Sequence, residues 1–208
     1  MAILRNTKLL SEAEAPKGWA DLLDPKWKGK IAFTDPANSG SAYTTTTFLV
    51  QLWGGGDQGW DKVTKLFANL KVLNKSSLVF NGVGSGEYPL AISFENPGLF
   101  WASNGSPLVV IYPNDGTVTQ MEGCAIIKGG PNSEAAKAFV DYINRKDVRE
   151  LIVTKMFRRP ARPDVDVSKV PGMAPLSQIK LATYDEAGWT AKRPETLEKI
   201  RDVIERTR

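Results

Sequence analysis

Apolar positions along the chain change period several times, and the changes divide it into alternating strands and helices. "AILRNTKLL" (2–10) opens on a short apolar strand, and "KIAFT" (30–34) reads as a buried one. Between them, "PKGWADLLDPKWKGK" (16–30) is punctuated by Pro16, Gly18, Pro25 and Gly29, which marks turns. Helical spacing then runs from Ser41 to about Trp53 through Tyr43, Thr47, Val50 and Gln51, and Gly54-Gly55-Gly56 ends it. A second stripe (Trp60, Val63, Leu66, Phe67, Leu70) predicts a helix over 59–70, and "KVLN" (71–74) a strand. "SSLVFNGVGSGEYPLAISFENPG" (76–98) reads as a short helix, a glycine stop and the strand "YPLAISF". Further β-branched strands fall in "SPLVVIYPNDG" (106–116) and "GCAIIKGG" (123–130). Ala136, Phe139, Val140 and Ile143 define an amphipathic helix over 133–145. Asp147 and Glu150 make a capping-box-like start for a further one bearing Val148, Leu151, Ile152 and Met156. After a proline-rich excursion (158–175), Pro194 opens a last helix with Leu197, Ile200 and Ile204 on one face. This alternation predicts an α/β fold with a mostly parallel central sheet flanked by helices.

Composition narrows the chemistry. The chain has 208 residues, enough for one large domain or two small ones. It contains no apolar run long enough to span a membrane as a helix. The first residues are not a signal peptide, because few apolar positions precede Glu12 and Glu14. A secreted protein is therefore expected to be seen here without its leader. The net charge is +4, yet the basic residues do not cluster beyond "FRRPAR" (157–162), and no nucleic-acid face is expected. Cys124 is the single cysteine and histidine is absent. That removes an intramolecular disulfide, thiolate metal sites, and the Ser-His and Cys-His nucleophile pairs. The expectation shifts from enzyme to binder, with no cofactor and no metal.

Two stretches carry candidate binding chemistry. "DPANSGSAYTTTTF" (35–48) places a turn and Ser39-Gly40-Ser41 between a strand and a helix. Free backbone N–H groups at the positive end of the helix dipole, with hydroxyls beside them, form a ready anion site. The plainer alternative is that Ser39 or Ser41 is only a helix N-cap. "SFENPG" (93–98) ends a strand with Glu95 and Asn96, where ligands sit in open α/β sheets, and the pair can accept from and donate to sugar-like hydroxyls. An ordinary loop is the alternative there, and a type I turn is the alternative for "YPNDG" (112–116). "GVGSGE" (82–87) superficially matches a dinucleotide fingerprint but precedes a strand, which leaves it as a helix stop.

Several stretches resemble one family. "WADLLDPKWKGKIAFTDPANSGSA" (19–42) is similar to a signature segment of the periplasmic solute-binding proteins of ABC transporters, in the subgroup of ferric iron, polyamine, thiamine, phosphonate and sugar-phosphate binders. "VGSGEYPLAISFENPG" (83–98), "YPNDGTVTQMEGCAIIKGGPNSEAAKAFVDYI" (112–143) and "RRPARPDV" (158–165) resemble later segments in the same order. The resemblance implies the type 2 periplasmic-binding-protein fold, two α/β lobes that clamp a ligand between them. Residues 1–116 and 165–208 would form the ligand-binding C-terminal lobe with its hinge crossovers. Residues 117–164 would return to the N-terminal lobe, whose opening half is expected before Ile3. The implied partners are a small anionic solute and a membrane permease, and the implied location of the protein is the periplasm or an extracytoplasmic lipid anchor. An exposed remnant of the second lobe would favour self-association. Iron binders of this family carry adjacent tyrosines where this chain has Glu95-Asn96-Pro97, and none of its tyrosines is adjacent to another. That departure favours an organic phosphate, such as a hexose phosphate, over ferric iron. Ser39, Gly40 and Ser41 would hold the phosphate while Glu95 and Asn96 read hydroxyls. The rivals are a ferric-iron binder of the same family, a phosphate-ester-processing enzyme, or the sensing domain of a regulator on a similar fold.

Overall fold

In a computed structural model covering residues 1–208, five strands form one sheet in the order β3-β2-β4-β1-β5. They are β1 (Ala2–Asn6), β2 (Ile31–Thr34), β3 (Leu70–Leu73), β4 (Leu90–Ser93) and β5 (Leu108–Ile111). Strand β2 pairs in parallel with β3 and β4, whereas β1 lies antiparallel between β4 and β5. All strands but β1 therefore point the same way, and their carboxyl ends share one edge. The three central strands are buried throughout, which is why they read as continuous apolar runs.

Alternate residues of those strands serve two helical layers. Ile3, Ile31, Phe33, Leu90 and Ile92 join the larger core with α1 (Gly40–Leu52), α2 (Gly56–Phe67) and α8 (Arg193–Thr207). Leu4, Ala32 and Ala91 face the opposite layer of α3 (Ser76–Ser85) and α4 (Glu95–Ser103). Trp19 and Trp27 close the larger core, and the Trp19 indole donates to the Gly116 carbonyl (2.8 Å). Helix α1 is buried from Ala42 to Val50. Its threonines fit that interior because Thr45, Thr46 and Thr47 return their hydroxyls to carbonyls four residues back. The glycines of "GVGSGE" prove to be packing residues: a Cβ at Gly84 would lie 2.7 Å from the Trp101 ring, and Gly86, with φ 89°, ends α3 in the left-handed region.

Four expectations change. Residues 123–130 form no strand, because their β-branched run has no neighbouring strand to ladder with. Glu95 and Asn96 begin helix α4 rather than a loop, and Pro97 is tolerated in its first turn, where a missing N–H costs no helical bond. Asp147 does not cap α6 (Lys146–Met156); its carboxylate pairs with Arg145 at 2.8 Å. A short helix, α7 (Glu186–Ala191), was not signalled by apolar spacing. The amphipathic helix α5 (Ser133–Ile143) forms as expected, yet none of its residues is buried. No helix is long and apolar enough to cross a membrane.

Candidate functional site

Strands β2, β3 and β4 each run at their carboxyl ends into a helix start, of α1, α3 and α4 respectively. A small cavity lies between the starts of α1 and α3 and the end of β4, with Thr34, Ser41, Ser76 and Ser93 among its hydroxyl-bearing residues and Phe33 and Phe94 among its walls. Each hydroxyl has an origin in the fold. Thr34 and Ser93 are the last residues of β2 and β4, whereas Ser41 and Ser76 lie in the first turns of α1 and α3. Ser39 is the N-cap of α1, its Oγ accepting from the Ala42 N–H (3.3 Å) and lying 3.1 Å from the Ser41 Oγ. The cap leaves the Gly40 and Ser41 N–H groups without a protein acceptor. No atom lies within 4 Å of where a Gly40 Cβ would stand, so the backbone there is open to approach.

The electrostatics of the three helix starts differ. Neither α1 nor α3 carries an acidic residue in its first turn, so the positive ends of both dipoles are uncompensated at the cavity. Thr34 and Ser76 lie 3.3 Å apart through their hydroxyls. Ser93 is 9% exposed, and its hydroxyl has no partner within the protein. An unpaired hydroxyl at the surface of this small cavity is free to meet water or an oxygen-rich ligand.

Helix α4 supplies its own counter-charge. Glu95 accepts a two-pronged pairing from Arg159, Nε to Oε1 at 2.5 Å and Nη2 to Oε2 at 2.7 Å. Tyr112, just past β5, donates its hydroxyl to Glu95 Oε2 at 2.5 Å. Arg159 also donates to the Ala174 carbonyl (2.7 Å). Burial and then the Glu95 carboxylate hold the Tyr112 hydroxyl well above the ordinary tyrosine range. Burial opposes the Arg159 charge, but pairing with Glu95 more than offsets it and keeps the guanidinium protonated. Asn96 is half-buried beside this group, with its amide making no side-chain bond.

Thus the structure brings Ser41 into the cavity, leaves Ser39 and Gly40 just before it in the chain and out of the lining, and places Glu95 and Asn96 at the start of α4, also out of the lining. Sequence reading missed Thr34, Ser76 and Ser93, although hydroxyls closing two buried strands at the ligand-bearing edge of an α/β sheet were a usable signal. It also missed Arg159, which is 64 residues from Glu95 in a segment that reads only as basic and proline-rich. No group of three or more His, Cys, Asp and Glu side chains is arranged to hold a metal.

Known proteins resemble this chain over most of its length. Residues 1–187 match the family described as bacterial extracellular solute-binding protein. An uncharacterized protein of Haemophilus influenzae is 31% identical over 200 residues, 93% of this chain and 58% of its own length. A Salmonella typhimurium periplasmic protein named for 2-aminoethylphosphonate binding is 25% identical over 81% of this chain and 51% of its own. The structure of the periplasmic binding protein AfuA from Actinobacillus pleuropneumoniae, with exogenous fructose-6-phosphate bound, superposes with a TM-score of 0.85 at 30% identity. That match covers 98% of this chain and 66% of AfuA, so the chain spans between about half and two-thirds of the proteins it resembles.

Proposed function

The chain belongs to the bacterial extracellular solute-binding protein family, and we propose that it is the solute-capturing part of an ABC importer for a small organic phosphate such as a hexose phosphate. The observation that carries this reading is the hydroxyl-lined cavity at two helix starts without first-turn acids, with the unpartnered Ser93 inside it. Ser39, Gly40 and Ser41 hold the phosphate oxygens through backbone N–H and hydroxyl donors, and Ser76 and Ser93 extend that set. Asn96 reads a sugar hydroxyl, and Glu95 Oε1, which accepts only from Arg159, keeps a lone pair for another. The fructose-6-phosphate in AfuA and the phosphonate in the Salmonella protein's name support an anionic solute. The remaining partner is a membrane permease, and the chain itself works in the periplasm or on an extracytoplasmic anchor.

Residues 1–116 and 165–208 serve as the ligand lobe, and 117–164 as part of the other lobe. Supporting this division, the crossing segments lie side by side: the Met1 nitrogen donates to the Val118 carbonyl (2.7 Å), and Thr117 pairs with Lys180 and Ala182. Beyond them Met121 and Ile127 are each 80% exposed, an apolar face suited to the other lobe or, in isolation, to a second copy of the chain. Sedimentation at rising concentration tests the self-association. Calorimetry of the chain with glucose 6-phosphate, inorganic phosphate and glucose tests the ligand. The phosphates are expected to bind and glucose not to; equal affinity for glucose and its phosphate would overturn the assignment.

A further inference from the structure

The Glu95–Arg159–Tyr112 group begins one residue past Phe94, which lines the cavity, and lies at the same carboxyl edge of the sheet. Its members come from three separate parts of the chain: the first turn of α4, the end of β5 and the segment after α6. The Glu95 and Arg159 side chains are 17% and 16% exposed, so their interaction is only weakly screened by solvent. An unpaired carboxylate at this position would repel an anion held at the starts of α1 and α3. The two-pronged guanidinium cancels that charge, and the Tyr112 hydroxyl satisfies a further lone pair on the same carboxylate. Arg158 lies at this edge as well, its guanidinium 5.5 Å from the Phe94 ring, but its charge is already matched by Glu122.

We propose that Arg159 sets the charge class of the solute: by holding Glu95 it keeps the cleft receptive to anions, and without it the same cleft would favour a small cation. This builds on the organic-phosphate reading, but its mechanism, the masking of one carboxylate by one arginine, is separate from it. Arg159 acts as a positioning residue through Glu95. Lysine is not an equivalent, because it is a point charge that lacks the fork matching both carboxylate oxygens.

Four forms of the chain test this: wild type, Arg159→Gln, Glu95→Gln and the double variant. Each is titrated calorimetrically with inorganic phosphate, glucose 6-phosphate and putrescine, with thermal midpoints recorded alongside. Arg159→Gln is expected to weaken phosphate binding by about tenfold and to gain putrescine binding that wild type lacks. The double variant should recover binding of inorganic phosphate, which makes no use of the Glu95 lone pair, and lose putrescine binding. A purely structural clasp would lower midpoints without reversing the preferred charge, and that result overturns the proposal. Failure of the double variant to recover inorganic phosphate binding would instead make Arg159 a direct ligand contact, which also overturns it. If wild type binds neither phosphate, the organic-phosphate reading falls. The putrescine arm then decides alone: a gain in Arg159→Gln that disappears in the double variant upholds the masking, and no gain overturns it.

Discussion

Helices α1 and α5 show how differently two segments of one chain meet their surroundings. Helix α5 has the cleaner amphipathic stripe, yet Phe139 is 61% exposed and no residue of the helix is buried. Helix α1 carries four consecutive threonines, and nine consecutive residues from Ala42 to Val50 are buried. A sharp stripe records that a helix needs an apolar partner; it does not record that the partner is present. Burial on every side, as in α1, erases the stripe and moves specificity into hydrogen bonds. Those bonds come largely from distant chain. The Tyr43 hydroxyl donates to the Trp189 carbonyl, Thr47 meets the Tyr184 hydroxyl, and Gln51 bridges Thr183, Asp185 and Trp189. Arg193 lies 4.2 Å from the centroid of the Tyr43 ring.

The largest effect that would break this contrast is on stability. Phe48→Ala should cost about 3–5 kcal/mol, because Phe48 is fully buried in the larger core. Phe139→Ala should change stability by less than about 0.5 kcal/mol in the same chain. Urea unfolding midpoints measure both. Comparable losses would mean that α5 is packed in solution, through self-association or a changed fold.

Alkaline pH is the next test. Tyr88 is pushed up to about 12, chiefly by burial and then by the Glu87 carboxylate, and Tyr112 and Tyr184 are also raised, chiefly by burial. In the unfolded chain these tyrosines ionise near the ordinary value of about 10. A raised folded pKa means that stability is fully present below about pH 10 and drains away as pH climbs through the folded values. Absorbance titration should therefore show ionisation of these tyrosines delayed until unfolding. A single normal titration for every tyrosine would contradict their burial.

The two helices also mark what sequence can and cannot convey. The strands are legible because Ile3 and Leu4, or Phe33 and Ala32, alternate between two apolar layers, and an unbroken apolar run is the signature of that arrangement. Helix α5 is legible for the same local reason. The strand expected over 123–130 fails because β structure depends on a neighbouring strand, and β-branched residues alone cannot supply one. At the site, Ser39, Gly40 and Ser41 can be read from a strand, a turn and a helix start in sequence. The Glu95–Arg159 pairing cannot, since proline-rich chain brings two residues together across 64 positions and no periodicity records it.

A smaller effect should follow from cutting the bridge that steadies α1. Gln51 donates to the Thr183 carbonyl and accepts from the Asp185 backbone and the Trp189 indole at 3.0, 3.0 and 3.2 Å. Gln51→Ala should cost about 1–2 kcal/mol, because it leaves those groups to find water or remain unpaired. Hydrogen exchange should then accelerate over 183–193 with little change in α5. Acceleration spread evenly over both helices would remove the distinction between a braced and an unbraced segment.

The smallest contrast lies at the two helix starts that sequence marks with capping residues. Ser39 truly caps α1: it is extended at φ −146°, and its Oγ accepts from the Ala42 N–H. Asp147 lies inside α6, after Arg145 in the cap position, and its lowered pKa comes first from the Arg145 hydrogen bond. Ser39→Ala should therefore cost about 1 kcal/mol. Asp147→Ala should leave the unfolding midpoint where it is, because an exposed pair with a flexible arginine competes with water and salt. Both helices begin with acceptor side chains within a turn, so composition alone predicts similar losses, whereas cap geometry predicts a difference. Adding salt separates the causes further: the Ser39 effect should persist, since it is a bond to backbone, and any residual Asp147 effect should fade. An Asp147 loss as large as that of Ser39, and unaffected by salt, would show that α6 begins later in solution and that its first turn is the capping box the sequence suggests.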